Sequence, residues 1–134
     1  MEMTAALPVL FPLIFAVQAN LTWFDPKLGG INCDHDCTTL ASHVRFSDAL
    51  YDRVAACPPE FPFGTRFVIA GSWRGLADGE YECLDRGGMV VTRGGVISLD
   101  LLRRDPVWRE TIPVTVIWPE WLNDAPDFVS PSNR

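Results

Sequence analysis

Glycine and proline residues interrupt this sequence so often that only short regular elements fit between them. The 134 residues include ten glycines and eleven prolines. Because these two residues are the strongest local breakers of helices and strands, the apolar segments between them are long enough for β-strands but too short for stable helices. The sequence therefore predicts many short strands joined by turns.

The clearest apolar segments alternate with polar residues, which is the pattern of strands with one buried face. The predicted strands are NLTWF (20–24), RFVIAG (66–71), YECLD (81–85), GMVVT (88–92), GVISLDLL (95–102) and PVTVIW (113–118). A short helix at LDLLRRD (99–105) is an alternative ending for the fifth of these. Six or seven short strands with little helix predict a mainly β fold, either a small barrel or a sandwich.

The composition and the charge fit one globular domain. Hydrophobic residues make up 48% of the chain and charged residues 21%, which is an ordinary balance for a folded protein. The net charge of −6 argues against binding to nucleic acid, which depends on Lys and Arg at the phosphates. The same charge argues against binding to anionic membrane surfaces.

Four cysteines, Cys33, Cys37, Cys57 and Cys83, bear on the redox environment. An even number in a small exported domain indicates disulfides, and four cysteines allow three connectivities, between which the sequence does not choose. The segment NCDHDC (32–37) has a spacing that a metal site could use, but a structural zinc site needs a second such pair. We therefore predict no metal site, and disulfides or buried thiols instead.

The N-terminal segment ALPVLFPLIFAVQA (6–19) is a run of apolar residues that ends in a small residue. This pattern is typical of a signal peptide and is too short and proline-interrupted for a membrane span. No Lys or Arg precedes the run, so the alternative is an apolar arm that packs on this protein or on a partner. The predicted organisation is a leader or arm at 1–19, a domain at 20–118 and a C-terminal arm at 119–134.

Two aspartates, Asp85 and Asp100, interrupt strands that are otherwise apolar. Strand alternation places Asp100 on the face opposite Leu99 and Leu101. If the two strands are neighbours, both carboxylates share a groove, where their repulsion raises the pKa of one of them. A protonated carboxyl can then act as a general acid on a glycosidic bond. The alternatives are a turn residue at Asp85 and a helix cap at Asp100.

Four segments in order, FGTRFVIAG (63–71), CLDRGGMVV (83–91), ISLDLL (97–102) and PVTVIW (113–118), resemble the 3D (three-aspartate) domain. That family has a double-psi-type β-barrel related to the MltA-like lytic transglycosylases. Asp85 and Asp100 match two of its aspartates, whereas AACP (55–58) places Cys57 where the third would lie. The match extends over about residues 20–118.

The resemblance implies a small double-psi-like barrel that cleaves peptidoglycan glycan strands without a cofactor. Asp100 would be the acid and base, and Asp85 would raise its pKa or stabilise positive charge. The exchange at Cys57 implies a disulfide with Cys83, and with it a second one between Cys33 and Cys37. These features imply an extracytoplasmic or secreted protein.

Three aromatic residues, Trp73, Tyr81 and Trp108, are candidate platforms on which sugar rings stack, with packing in the barrel as the alternative for each. The alternative function is a non-catalytic barrel that serves as a wall-binding, virion or surface assembly component. Such a component would retain its N-terminus and bind a protein partner through residues 1–19 or the C-terminal arm.

Overall fold

A computed structural model of the chain describes residues 13–30, 33 and 36–119. These residues form seven strands, joined by turns and short 3-10 segments, and include no α-helix. The strands are β1 (Ile14–Phe24), β2 (Val54–Ala56), β3 (Arg66–Ile69), β4 (Gly79–Asp85), β5 (Thr92–Arg93), β6 (Val96–Leu102) and β7 (Thr111–Ile117). The 3-10 segments are Pro26–Leu28, Asp48–Leu50 and Trp73–Gly75.

Six of the strands close into a barrel in the order β1–β7–β3–β4–β2–β6, because β1 also pairs with β6. Strand β5 adds a seventh strand beside β6. Most pairs are antiparallel, but β1–β6 and β2–β4 are parallel. The prediction of a mainly β, six- to seven-stranded barrel with short helical turns is confirmed, and the closure excludes the sandwich.

The inside of the barrel is filled by alternate residues of its strands. Leu99 and Leu101 of β6 are fully buried in this core, together with Phe61, Phe67 and Tyr81. Because successive side chains of a strand point to opposite faces, Asp100 lies on the outer face of the barrel. The core thus fixes which side chains of β6 are available for a site.

Strand β1 begins at Ile14, six residues before the predicted start of the domain at residue 20. Residues Ile14–Ala19 pair with Ile112–Ile117 of β7, and Val17 and Ala19 are buried in the barrel core. The apolar run hid a strand because the outward residues Ile14 and Ala16 are apolar like the inward Val17. Residues 1–12 and 120–134, and with them most of both predicted arms, lie outside the described residues.

A second apolar cluster covers the outer face of the barrel between β1 and β2. Its buried members are Phe24, Leu40, Tyr51, Val54, Ala56, Val90 and Leu102. Leu101 belongs to the barrel core and Leu102 to this outer cluster. Two consecutive leucines are therefore buried on opposite faces of one strand, which explains why no helix forms at LDLLRRD.

Two disulfides tie the fold together, Cys57–Cys83 and Cys33–Cys37, which are the pairings that the resemblance implies. The first joins the end of β2 to β4, and both of its cysteines are fully buried. Disulfides persist in oxidising compartments, so they indicate an extracytoplasmic environment. Across the described part of the chain, no helix has the length and hydropathy to cross a membrane.

Candidate functional site

Three neighbouring strands bring Asp85 and Asp100 to the same face of the barrel. Ala56 of β2 pairs with Asp85 of β4 on one side and with Asp100 of β6 on the other. Directly paired residues project to the same face of a sheet, and the backbones of the two aspartates are two strand spacings apart, roughly 10 Å. The small side chain of Ala56 leaves the space between the two carboxyls open.

This space is part of an open groove of about 380 Å³. The strand ends form its floor, the segment 36–41 forms one wall and the turn at 86–88 forms the other. Besides the aspartates and Ala56, the lining includes Phe24, Pro26, Asp36, Leu40, Ala41 and Gly88. The groove therefore combines apolar walls with carboxyl groups.

Asp100 is half-buried in this groove, and burial raises the pKa of its carboxyl above the ordinary value. The charge of Asp85 raises the pKa of Asp100 further, whereas the Thr22 hydroxyl and the charge of Arg109 lower it. The net direction is upward, because desolvation penalises the charged form of a carboxyl. This is the direction that a general acid needs in order to hold its proton near neutral pH.

Asp85 is held by the segment 36–41, which forms one wall of the groove. Its Oδ1 accepts a hydrogen bond of 2.9 Å from the backbone N–H of Ala41. A register shift between Ala55 and Ala56 in the β2–β4 pair brings Asp85 opposite Ala56. The hydrogen bond ties the wall of the groove to its floor, and it gives Asp85 a fixed orientation.

Arg86, in the turn that forms one wall of the groove, also lies against the Cys57–Cys83 disulfide. Its Nη1 is 3.0 Å from both sulfurs, and its Nη2 donates to the carbonyl of Phe61 at 2.6 Å. Its guanidinium also lies over the ring of Phe63, 4.1 Å from the centroid. Cys57 thus contributes to a buried tether that holds the turn after Asp85.

The structure brings Trp73 and Trp108 together, but neither lines the groove. Their rings stack with centroids 4.7 Å apart, and the guanidinium of Arg74 lies 4.4 Å from the centroid of Trp73. Trp73 is 41% exposed and Trp108 is 54% exposed. A sugar platform at this pair stays a prediction, with Trp108 offering the larger free surface.

The prediction of Tyr81 as a sugar platform does not agree with its position. Its side chain is 0% exposed in the barrel core, so its ring offers no face to a ligand. Its hydroxyl donates to the carbonyl of Ala77 and accepts a hydrogen bond from Arg103 Nη1 at 3.0 Å. The alternative of packing in the barrel is correct for this residue.

Three residues that shape the site were not singled out from the sequence: Thr22, Ala41 and Arg86. Thr22 carried a usable signal, because the alternation in NLTWF places it on the face opposite the buried Leu21. Its contact with Asp100 depends on the register between β1 and β6, which sequence periodicity does not provide. The contacts of Ala41 and Arg86 arise from loops with no such pattern.

The described residues contain no group of three or more His, Cys, Asp or Glu residues placed to hold a metal ion. Cys33 and Cys37, the residues that suggested such a site, are bonded to each other. Asp34 and His35, which lie between them in sequence, are outside the described residues. The structure therefore contains a small disulfide loop at the edge of the groove.

The fold and the groove define a class of protein: a small disulfide-bonded β-barrel with two carboxyl groups in an open groove on its outer face. Comparison of the chain with protein-family models, with curated proteins and with solved structures gives no match. The chemistry of the groove is therefore the basis on which a function can be argued.

Proposed function

We propose that this protein cleaves glycosidic bonds in a glycan strand bound in the groove, with Asp100 as the acid and base. The observation that carries the proposal is the placement of Asp85 and Asp100 on either side of Ala56 in one open groove. The raised pKa of Asp100 supports it, because a glycosidase acid must be protonated when substrate binds. Peptidoglycan is the proposed substrate on the strength of the resemblance to the 3D domain family.

The proposed reaction needs one protein carboxyl, because the nucleophile belongs to the substrate. Protonated Asp100 gives its proton to the glycosidic oxygen as the bond from that oxygen to the anomeric carbon breaks. The resulting carboxylate takes the proton of the muramic 6-hydroxyl, whose oxygen bonds to the anomeric carbon and closes a 1,6-anhydro ring. The acid is then protonated again, and the cycle uses no cofactor.

Asp85 has a supporting part in this reaction. Its negative charge raises the pKa of Asp100, and it favours the positive charge that develops at the anomeric carbon in the transition state. The hydrogen bond from Ala41 holds one of its oxygens, so the charge is in place before the reaction begins. A preorganised charge of this kind costs no reorganisation during catalysis.

The proposed place of action is outside the cytoplasm, as a secreted member of the 3D domain family. The two disulfides support an oxidising environment, and peptidoglycan lies in such an environment. The acidic net charge does not oppose binding of a glycan, because uncharged sugar rings bind through stacking and hydrogen bonds.

The first test is digestion of purified peptidoglycan by the intact, oxidised chain, with the products identified by mass spectrometry. We expect anhydro-muropeptides from the wild-type chain and at least about 100-fold less from Asp100→Asn, since general acid catalysis contributes 10²–10⁴-fold. Asp105→Asn is the matched control, because Asp105 is exposed and is not part of the groove. Equal product from Asp100→Asn and the wild-type chain would exclude Asp100 as the acid.

Filling the groove should stop the reaction without unfolding the protein. Gly88 lines the groove, and a Cβ built on it meets no atom within 4 Å. Gly88→Trp should therefore abolish binding and cleavage of glycan while the melting temperature stays unchanged, and Gly88→Ala should behave like the wild type. Full cleavage by a folded Gly88→Trp chain would place the reaction elsewhere on the molecule.

Two observations favour the alternative function, a non-catalytic barrel that binds the cell wall or serves in a virion or surface assembly. Asp85 accepts a hydrogen bond from the backbone N–H of Ala41. Cys57 forms a disulfide at the position where the family has an aspartate. In this case the intact chain sediments with insoluble peptidoglycan but releases no product, and Gly88→Trp remains in solution. A protein partner through residues 1–19 or 119–134 stays a prediction.

A further inference from the structure

Thr22 and Asp100 face each other across two neighbouring parallel strands. They are direct partners in the register of β1 with β6, and the residues beside them, Leu21 and Leu99, are fully buried in the core. Both side chains therefore project to the outer face of the barrel. Strand β6 is hydrogen-bonded to β1 on one edge and to β2 and β5 on the other. The register between β1 and β6 therefore has little freedom to shift.

The Thr22 hydroxyl donates a hydrogen bond of 2.7 Å to Oδ1 of Asp100. Threonine is β-branched and therefore has few χ1 rotamers in a strand, so the hydroxyl is held in place before any ligand binds. An oxygen that accepts this bond can keep it in both protonation states of the carboxyl, provided that the proton is on Oδ2. A proton on Oδ1 would compete with the hydroxyl for the same oxygen.

We propose that Thr22 is a positioning residue for Asp100. Its hydroxyl occupies Oδ1 of Asp100 and leaves Oδ2 as the oxygen that carries the transferable proton. The proposal rests on the proposed function, in which Asp100 gives up and regains one proton. If the carboxyl group rotated freely, its two oxygens would be equivalent, and the proton would lie on the wrong side of the group for part of the time. Thr22 removes that freedom without contacting the substrate.

Other charged groups act on Asp100 and must be separated from Thr22. Asp85 on β4 and Arg109 before β7 both act electrostatically on its carboxyl, in opposite directions. Asp36 and Arg86 also line the groove. A substitution that removes the hydroxyl but leaves all four charges in place therefore isolates the hydrogen bond.

Thr22→Val is that substitution, because valine keeps the shape of threonine and lacks the hydroxyl. Thr22→Ser is the matched control, since it keeps the hydroxyl and loses the methyl group. The Asp100 carboxyl is followed by carbon NMR against pH in each intact chain, without substrate, with Asp100→Asn to assign its signal. A hydrogen bond to a carboxylate favours the charged form, so we expect Thr22→Val to titrate at higher pH than the wild type and Thr22→Ser to titrate with it.

An unchanged midpoint in Thr22→Val, or equal shifts in both variants, would overturn the proposal. With peptidoglycan as substrate, Thr22→Val should lower kcat by up to about 100-fold, the loss caused by a misplaced catalytic group, with KM unchanged. The basic limb of its pH profile should move to higher pH. The titration needs no cleavage, so a wild-type chain that cleaves nothing counts against the proposed function alone.

Discussion

A chain that begins at Asn20 will not fold at 25 °C, whereas one that begins at Leu13 will. The first chain lacks Ile14–Ala19, and β7 then keeps a partner in β1 only at Asn20–Thr111. The barrel opens between these strands, and the buried Val17 is lost from the core. Far-UV circular dichroism and the dispersion of amide NMR signals distinguish the folded from the unfolded chain.

The expected loss is large because several contributions add. Burial of one valine side chain contributes about 1.5 kcal/mol or more, and each internal hydrogen bond about 1 kcal/mol. A domain of this kind has only about 5–15 kcal/mol of stability in total. If the two chains melt at the same temperature, residues 14–19 do not form part of the barrel. Cleavage after Ala19, which the sequence suggested, would remove the same residues.

Removal of the Cys57–Cys83 disulfide will lower the melting temperature by roughly 10–15 °C. The bond closes a loop with a sequence separation of 26, and the chain-entropy treatment of such a loop gives about 3.5 kcal/mol. Cys57→Ala with Cys83→Ala also removes both sulfurs that Arg86 contacts. The measurement is a thermal or urea unfolding curve of the double variant.

The matched control is Cys33→Ala with Cys37→Ala, which removes a disulfide with a separation of only 4. The same treatment gives about 2 kcal/mol for this loop, and neither cysteine is fully buried. We therefore expect a smaller decrease in melting temperature. A larger effect at Cys33–Cys37 than at Cys57–Cys83 would show that loop entropy and core burial do not govern these bonds.

The fold class followed from local pattern because most strands have one buried face. Strands β4, β6 and β7 were predicted at nearly their observed positions, since alternate residues such as Leu99 and Leu101 enter the core. The pattern failed where consecutive residues on both faces are apolar, as at Ile14–Val17. There the alternation of polar and apolar residues is absent, so the composition of the strand resembles that of a signal peptide.

The segment GMVVT, predicted as a strand, is mostly a turn, and only Thr92 of it lies in β5. Met89 projects into solvent, while Val90 packs into the outer cluster. A Cβ at Gly87 would lie 2.9 Å from Val90 Cγ2, so the turn depends on the close approach of these two residues. The local sequence favours a strand here, but the packing of Val90 into the outer cluster produces a turn instead.

The candidate site could be predicted only in part from the sequence. Asp85 and Asp100 were identifiable as carboxyls in apolar strands, and the structure places both in one groove. The contacts of Thr22 and Ala41 depend on register and on a loop that folds back over the barrel. Non-local pairing of this kind leaves no periodic signal in the chain.

The floor of the groove and its wall at 36–41 differ in how tightly the fold holds them. Its floor carries Asp100 on a strand that is bonded along both edges, while the wall at 36–41 belongs to a surface loop. Insertions and substitutions are tolerated best in such loops. Related chains could therefore accept different ligands by changing this wall, while the position of Asp100 on the floor stays the same.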